Sequence, residues 1–364
     1  MQQHLYPLEP RTTVQVVFES MIFLVIDLLA FTGNLLVCLA MYRNRRLRTT
    51  TNIYITALAL SDIGSSLIVQ PMTVGTLMTG KWVSGYEGCK VHGFFNLFFG
   101  YVSIQTMALT AVNRYFRVVK ANYYKKIFTT KKSIVYVIVL WACMSIIVWL
   151  PPTANLSFYM FFPDNAVCAQ VSLTNEVATV VFEAIFFNVL PLSIIIFSYY
   201  NVSKTIRSHN AKVATTLHSN RAPQGGGSSS LSVEEIRITR TLFALVVGFV
   251  ICTFPAFTIF GLLWLRVTNL ESIPRPLSLT ANALIFISSA INPFLYGVMN
   301  KSFRDEFKEI LTCKWNKPQV IPLAGNTSTS GPSTSTTATK SGAWACIYVC
   351  LYMAISSKYN QMNS

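Results

Sequence analysis

The stretch MIFLVIDLLAFTGNLLVCLAMYRNRRLR, residues 21–48, decides what kind of molecule this is. It is the greater part of an apolar run over 16–41, and it ends in Arg43, Arg45, Arg46 and Arg48. A helix of about 20 apolar residues crosses the ~30 Å hydrocarbon core of a bilayer. Six more runs of that kind follow, at 52–79, 89–113, 133–151, 176–200, 238–265 and 277–298. Lipid offers no partner to unpaired backbone groups, so all seven are expected to be helical. The expected fold class is therefore all-α and integral to the membrane, a seven-transmembrane helix bundle. An eighth apolar stretch at 343–355 reads as too short to span.

Composition points the same way. Of 364 residues, 52% are hydrophobic and 12% charged, where a soluble domain carries about 25% charged residues. Mean hydropathy is +0.47. The net charge of +15 has a topological origin. Of 29 Lys and Arg residues, 24 fall on one side of the spans: at 43–48, 114–132, 204–240 and after 300. The other side holds Arg11, Lys81, Lys90, Arg266 and Arg275. The positive-inside bias puts the N-terminus outside and the C-terminus in the cytoplasm, which seven crossings also require. No nucleic-acid partner is expected. Residues 1–13 are polar and the first apolar run is too long for a signal-peptide core, so a multi-pass plasma-membrane protein is expected.

Cys38, Cys143 and Cys252 fall within spans, and Cys313, Cys346 and Cys350 on the cytoplasmic side. Only Cys89 and Cys168 face the oxidising exterior, so they are expected to form a disulfide. The outer sequon Asn155-Leu156-Ser157 reads as a glycosylation acceptor. His4, His92, His209 and His218 are scattered and form no metal-binding set.

Three regions follow: an extracellular N-terminus (1–15), a membrane domain (16–312) with a flexible Gly/Ser stretch at 222–230 in the third cytoplasmic loop, and a Ser/Thr-rich tail (313–364) that reads as disordered. In Lys301–Leu311, Phe303, Phe307, Ile310 and Leu311 share one stripe away from Arg304, Asp305 and Lys308. That pattern predicts a short amphipathic eighth helix on the inner leaflet. Cys313 just beyond it is a palmitoylation candidate.

The polar residues inside the spans carry a resemblance. The first span has Gly33-Asn34, the second Leu58-Ala59-Leu60-Ser61-Asp62, and the third ends in Asn113-Arg114-Tyr115. The fourth has Trp141, the fifth Pro191 and Tyr199, the sixth Cys252-Thr253-Phe254-Pro255, and the seventh Asn292-Pro293-Phe294-Leu295-Tyr296. In order and spacing these resemble the rhodopsin-like (class A) G-protein-coupled receptors over roughly 16–312. Residues 33–48 and the Asn113-Arg114-Tyr115 variant are similar to melatonin receptors and their invertebrate relatives.

The resemblance implies a set of roles. Asp62, with Asn34, Ser103, Ser288 and Asn292, would form either a sodium site or a water-filled polar network. Arg114 would be held by Glu235 at rest, Asn113 standing where relatives have an acid and leaving the lock one charge short. Activation would release Arg114 toward Tyr199 and Tyr296, with Pro255 and Pro293 in the moving helices. Ile104, Pro191 and Phe249 match the family's packing trio between pocket and crevice. Thr253 replaces the usual Trp, so either Phe254 or Phe257 is expected to stand in for it. The implied partners are a heterotrimeric G protein, arrestin and a receptor kinase acting on the tail. No cofactor is implied beyond the sodium ion.

For the ligand, the implied pocket comprises Asn96, Leu97, Gly100, Glu183, Phe187, Phe257, Phe260, Asn282 and Phe286. Opsins carry a retinal-binding Lys where this chain has Phe286, amine receptors an Asp at Asn96, and melatonin receptors a His at Phe187. A small molecule or peptide entering among the helices is expected, a melatonin-like ligand being one case. The alternative is a light-sensing or constitutively active receptor with no diffusible ligand. No paired intramembrane carboxylates or nucleophile triad suggests an enzyme. Glu183 would face the bundle, because a carboxylate facing lipid is costly, either as a neutral structural group or as the polar anchor of the ligand.

Overall fold

The computed structural model describes residues 8–173, 176–218, 233–264 and 273–312. The 222–230 stretch, the tail from Cys313 onward with Cys346 and Cys350, and the apolar stretch at 343–355 lie outside them. Seven helices among the described residues are long and apolar enough to cross a membrane. They are α1 (Thr13–Arg43), α2 (Thr50–Thr79), α3 (Gly85–Val118) and α4 (Thr130–Thr153). Next comes α5, running as Glu176–Ala184, a π-turn Ile185–Val189 and Leu190–His218, then α6 (Val233–Trp264) and α7 (Arg275–Met299). The amphipathic α8 (Lys301–Leu311) follows, and a short helix Ala121–Ile127 joins α3 to α4.

α1 shows why these segments fold as they do. Thr12 and Gln15 form a reciprocal capping box at its start. Ser20, Phe23, Asp27, Ala30, Asn34 and Val37 are buried at helical spacing, while Val14, Phe18, Met21, Val25 and Leu29 on the other faces are exposed. The apolar face points outward and the polar side chains inward, the arrangement that hydrocarbon as solvent demands. Small residues let the helices close: a Cβ on Gly33 would stand 2.9 Å from Cγ of Pro293 on α7.

The expected helix bundle is joined by one short sheet that the sequence reading did not include. Between α4 and α5, β1 (Ser157–Phe162) pairs antiparallel with β2 (Val167–Ser172), with Phe161 opposite Cys168. Ser157, Tyr159 and Phe161 are the buried members of β1. Its sequence, SFYMFF, is apolar on both faces and so carries no polar–apolar alternation to announce a strand. The hairpin covers one end of the bundle; α8 lies at the other. In α8, Phe303, Phe307 and Ile310 are buried and Phe303 stacks on Tyr296 at 5.4 Å between ring centroids. Leu311, expected on the same stripe, is 45% exposed, whereas Glu306 is buried because Arg43 and Asn44 at the end of α1 bind it.

Candidate functional site

Three polar centres lie along the bundle axis. The first is at the α8 end. Arg114 of α3 is 1% exposed, and its Nη1 donates to Oε2 of Glu235 on α6 at 3.0 Å. The other Glu235 oxygen accepts from Arg117, one turn further along α3. Asn113 supplies no charge here, and Arg117 shares the single carboxylate with Arg114, a second cation that the sequence reading did not include. Arg117 also lies over the ring of Tyr124, 5.5 Å from its centroid. Asn113 is fully buried, accepting from Thr51 of α2 at 2.9 Å and reaching Tyr124 at 3.5 Å. Tyr115 turns outward against Phe197 of α5. Tyr199 and Tyr296 are 3% and 1% exposed, and neither hydroxyl has a partner within the protein.

The second centre is in mid-bundle. Asp62 accepts from Nδ2 of Asn292 at 2.9 Å, and Ser61 and Ser103 lie 3.3 Å apart beside it on α2 and α3. Asn34 donates to the Ala30 carbonyl at 2.9 Å and the Ser289 carbonyl at 3.0 Å. Ser288, expected here, donates instead to Ile285 in its own helix at 2.6 Å. Ser289 takes its place, its side chain meeting Asp62. One residue is about 100° of helix rotation, so the neighbour faces the site. The oxygens of Asn34 and Asn292 that make no protein hydrogen bond, with Asp62 and Ser103, are hard donors of the kind sodium takes.

Beside this centre, Ile104, Pro191 and Phe249 are all buried. Ile104 and Phe249 share one apolar cluster with Tyr199 and Tyr296. Thr253 is buried, bonding back to Phe249 at 2.8 Å. Neither expected substitute for Trp is buried: Phe254 is 67% and Phe257 45% exposed. The buried positions of α6 around Pro255 are Cys252, Thr253 and Ala256, so no bulky side chain takes the switch position.

The third centre is the group of side chains beneath the hairpin. The π-turn of α5 inserts Phe187 into the bundle, where it stacks on Tyr101 of α3 at 3.9 Å. Gln105 of α3 donates to the Phe186 carbonyl at 3.2 Å, within that turn. The Tyr101 hydroxyl binds Glu183, a partner that spacing alone had missed. Asn96 and Leu97 are half-buried and Gly100 is open on its Cβ side. On α7, Phe286 packs edge-on against Phe23 of α1 at 5.6 Å. Asn282 is engaged from above, donating to the Asn165 carbonyl at the hairpin tip at 2.9 Å. Burial pushes the carboxyl of Asp164 at that tip above its ordinary range, Glu9 adding to the shift and Arg275 opposing it. The side chain of Phe260 lies outside the described residues.

The hairpin is fixed by the expected disulfide between Cys89 and Cys168. Tyr159 packs onto Gly93, where a Cβ would come within 2.4 Å of its ring. His92, fully buried, accepts from the Cys168 N–H at 3.3 Å and meets Thr73 at 3.2 Å. Asn155 sits exposed at the turn into β1 with φ of 55°.

A seven-helix bundle with an Arg–Glu latch at one end, a polar centre at its middle and a disulfide-fixed hairpin over the other is the architecture of a seven-transmembrane receptor. The model of the 7 transmembrane receptor (rhodopsin family) matches residues 33–296, and the chain belongs to that family, the rhodopsin-like (class A) receptors, which are not enzymes. The mouse (Mus musculus) melatonin receptor type 1A is 29% identical over 293 residues, covering 79% of this chain and 77% of that receptor. The canine (Canis lupus familiaris) histamine H2 receptor is 27% identical over 311 residues (84% and 80%), and human (Homo sapiens) visual pigment-like receptor peropsin 27% over 312 (81% and 84%). The crystal structure of squid rhodopsin shares the fold, with a TM-score of 0.70 at 21% identity, over 84% of this chain and 89% of that one.

Proposed function

We propose that this receptor binds an extracellular small molecule or peptide beneath the hairpin and activates a heterotrimeric G protein by outward movement of α6 at the opposite end. The observation that carries this reading is the Glu235 latch, which ties α6 to α3 through two arginines. An element held shut by a few ion pairs is bistable, and a ligand opens it by binding the open state better. Once released, Arg114 has the hydroxyls of Tyr199 and Tyr296 as new partners. The hairpin end faces outward and the α8 end the cytoplasm, in keeping with the basic clusters. Sodium at Asp62, with Asn34, Ser103 and Asn292, would stabilise the closed state by charge neutralisation. Cys313 anchors the end of α8 by palmitoylation, Asn155 carries a glycan, and a receptor kinase and arrestin act on the tail.

Histamine H2 receptor and melatonin receptors are among the relatives; Asn96 and Phe187 stand where those classes carry their ligand-binding Asp and His, so a melatonin-like ligand would be held here by other side chains. Second-messenger output in cells expressing the chain, across a panel of small molecules and peptides, tests the reading. A response to one of them, lost in Arg114→Ala at equal surface expression, supports it. Output that follows illumination alone, or that no ligand alters, would replace it with the light-sensing or constitutively active alternative.

A further inference from the structure

α1 carries a second carboxylate inside the bundle. Asp27 is 8% exposed, and its side chain meets the hydroxyl of Ser66 on α2. That same hydroxyl is reached by Nε2 of Gln70, fully buried, at 3.5 Å. Asp27 of α1 and Gln70 of α2 thus both meet the Ser66 hydroxyl, Gln70 through its amide nitrogen. Two of their oxygens, Oδ1 of Asp27 and Oε1 of Gln70, have no hydrogen-bond partner. Among the described residues, no ion pair involves Asp27.

A buried carboxylate with one hydroxyl for company is far from compensated, and the two oxygens left without a partner are acceptors. A carboxylate, a hydroxyl and an amide carbonyl make a hard-oxygen set that suits a small cation. With one carboxylate, the set balances a single positive charge; a divalent ion would leave excess charge in a low-dielectric interior. The site also has a route. Asp62, Ser66, Gln70 and Thr73 form a buried polar stripe along α2, each 3% exposed or less, toward the hairpin end. Ser66 stands one turn from Asp62, about 6 Å along the axis.

We propose that Asp27, Ser66 and Gln70 form a second monovalent-cation site, filled by sodium, one helical turn nearer the hairpin end than Asp62. It stands apart from the signalling reading, because its test needs neither ligand nor G protein. Thermal unfolding of the purified full chain is followed while sodium replaces N-methylglucamine at constant ionic strength, at pH 6 and pH 8. Bound sodium raises the unfolding temperature, by about 2–4 °C per site near saturation. Asp62→Asn is expected to retain a sodium-dependent rise, and adding Asp27→Asn to abolish it. Ser66→Ala and Gln70→Leu, which keep the charge, should move the sodium midpoint of Asp62→Asn several-fold higher, and they carry the test if the double variant does not fold. A flat sodium response in folded Asp62→Asn overturns the proposal, as does a rise unaltered by these substitutions. A response to pH in place of sodium would also overturn it, marking Asp27 as a protonated carboxyl.

Discussion

Nη1 of Arg114 lies 3.0 Å from Oε2 of Glu235, 121 residues later in the chain. The arginine is almost fully buried, and its partner's side chain is 19% exposed, so the pair sits where the bundle meets water. Glu235→Ala should raise ligand-free signalling, by up to about 1 kcal/mol in the open–closed equilibrium for a pair bordering water. Asn113→Asp should lower it, adding a charge beside Arg114 while keeping an acceptor for Thr51. Arg117→Ala should fall between wild type and Glu235→Ala. Basal second-messenger output at matched surface expression checks all three, and equal output across the series would remove the latch from the mechanism.

Glu183 and Tyr101 make separable predictions. We expect Glu183 to anchor a positive group on the ligand, with the Tyr101 hydroxyl orienting its carboxylate. Glu183→Gln should weaken a cationic agonist by ~2 kcal/mol or more, as a desolvated charge pair losing one partner does. Tyr101→Phe should lower thermal stability but preserve most of that agonist's affinity, because the charge remains. Agonist competition binding on both variants reads the difference; equal potency in wild type and Glu183→Gln would make Glu183 purely structural.

At the hairpin end, Glu19 of α1 accepts from Arg11 at 2.8 Å and from both terminal nitrogens of Arg275 on α7 at 2.7 and 2.8 Å. The two arginine side chains are 5% and 9% exposed, so removing the carboxylate strands two nearly buried cations. Glu19→Gln should cost about 2–3 kcal/mol, less than a fully buried pair because water is close. Thermal unfolding measures this, and a change within error would show that solvent replaces the lost partner.

The Ser/Thr-rich segment at 327–341 offers many hydroxyls to a kinase, and phosphates there would present dense negative charge. Truncation at Pro318 should spare G-protein activation and abolish agonist-driven arrestin recruitment. A proximity assay for arrestin beside a second-messenger assay tests both halves; recruitment by the truncated chain would refute the role of the tail.

Much of this receptor is legible along the chain because lipid imposes a one-dimensional rule. Each crossing needs a long apolar run whose backbone satisfies itself, so seven runs gave seven helices, close to their expected ends except that α5 continues beyond 200 to His218. The Pro, Asn and Asp positions inside those runs identified the family, since polar groups in hydrocarbon are too costly to be scattered freely. The exterior cysteines gave the disulfide by compartment alone. Contacts across the bundle are another matter, because they depend on each helix's rotation, and one residue shifts a side chain by about 100°. That is why Ser289 rather than Ser288 reaches Asp62. The π-turn at Ile185–Val189 resets the phase of α5 and brings Phe187 onto Tyr101, with no signal in the residues themselves. Arg117 joined the latch, and Asn165 engaged Asn282, only because tertiary packing brought together residues 118 and 117 positions apart. Local hydropathy specifies the number and place of the helices, while their mutual rotation, a property of the packed bundle, selects which polar groups meet.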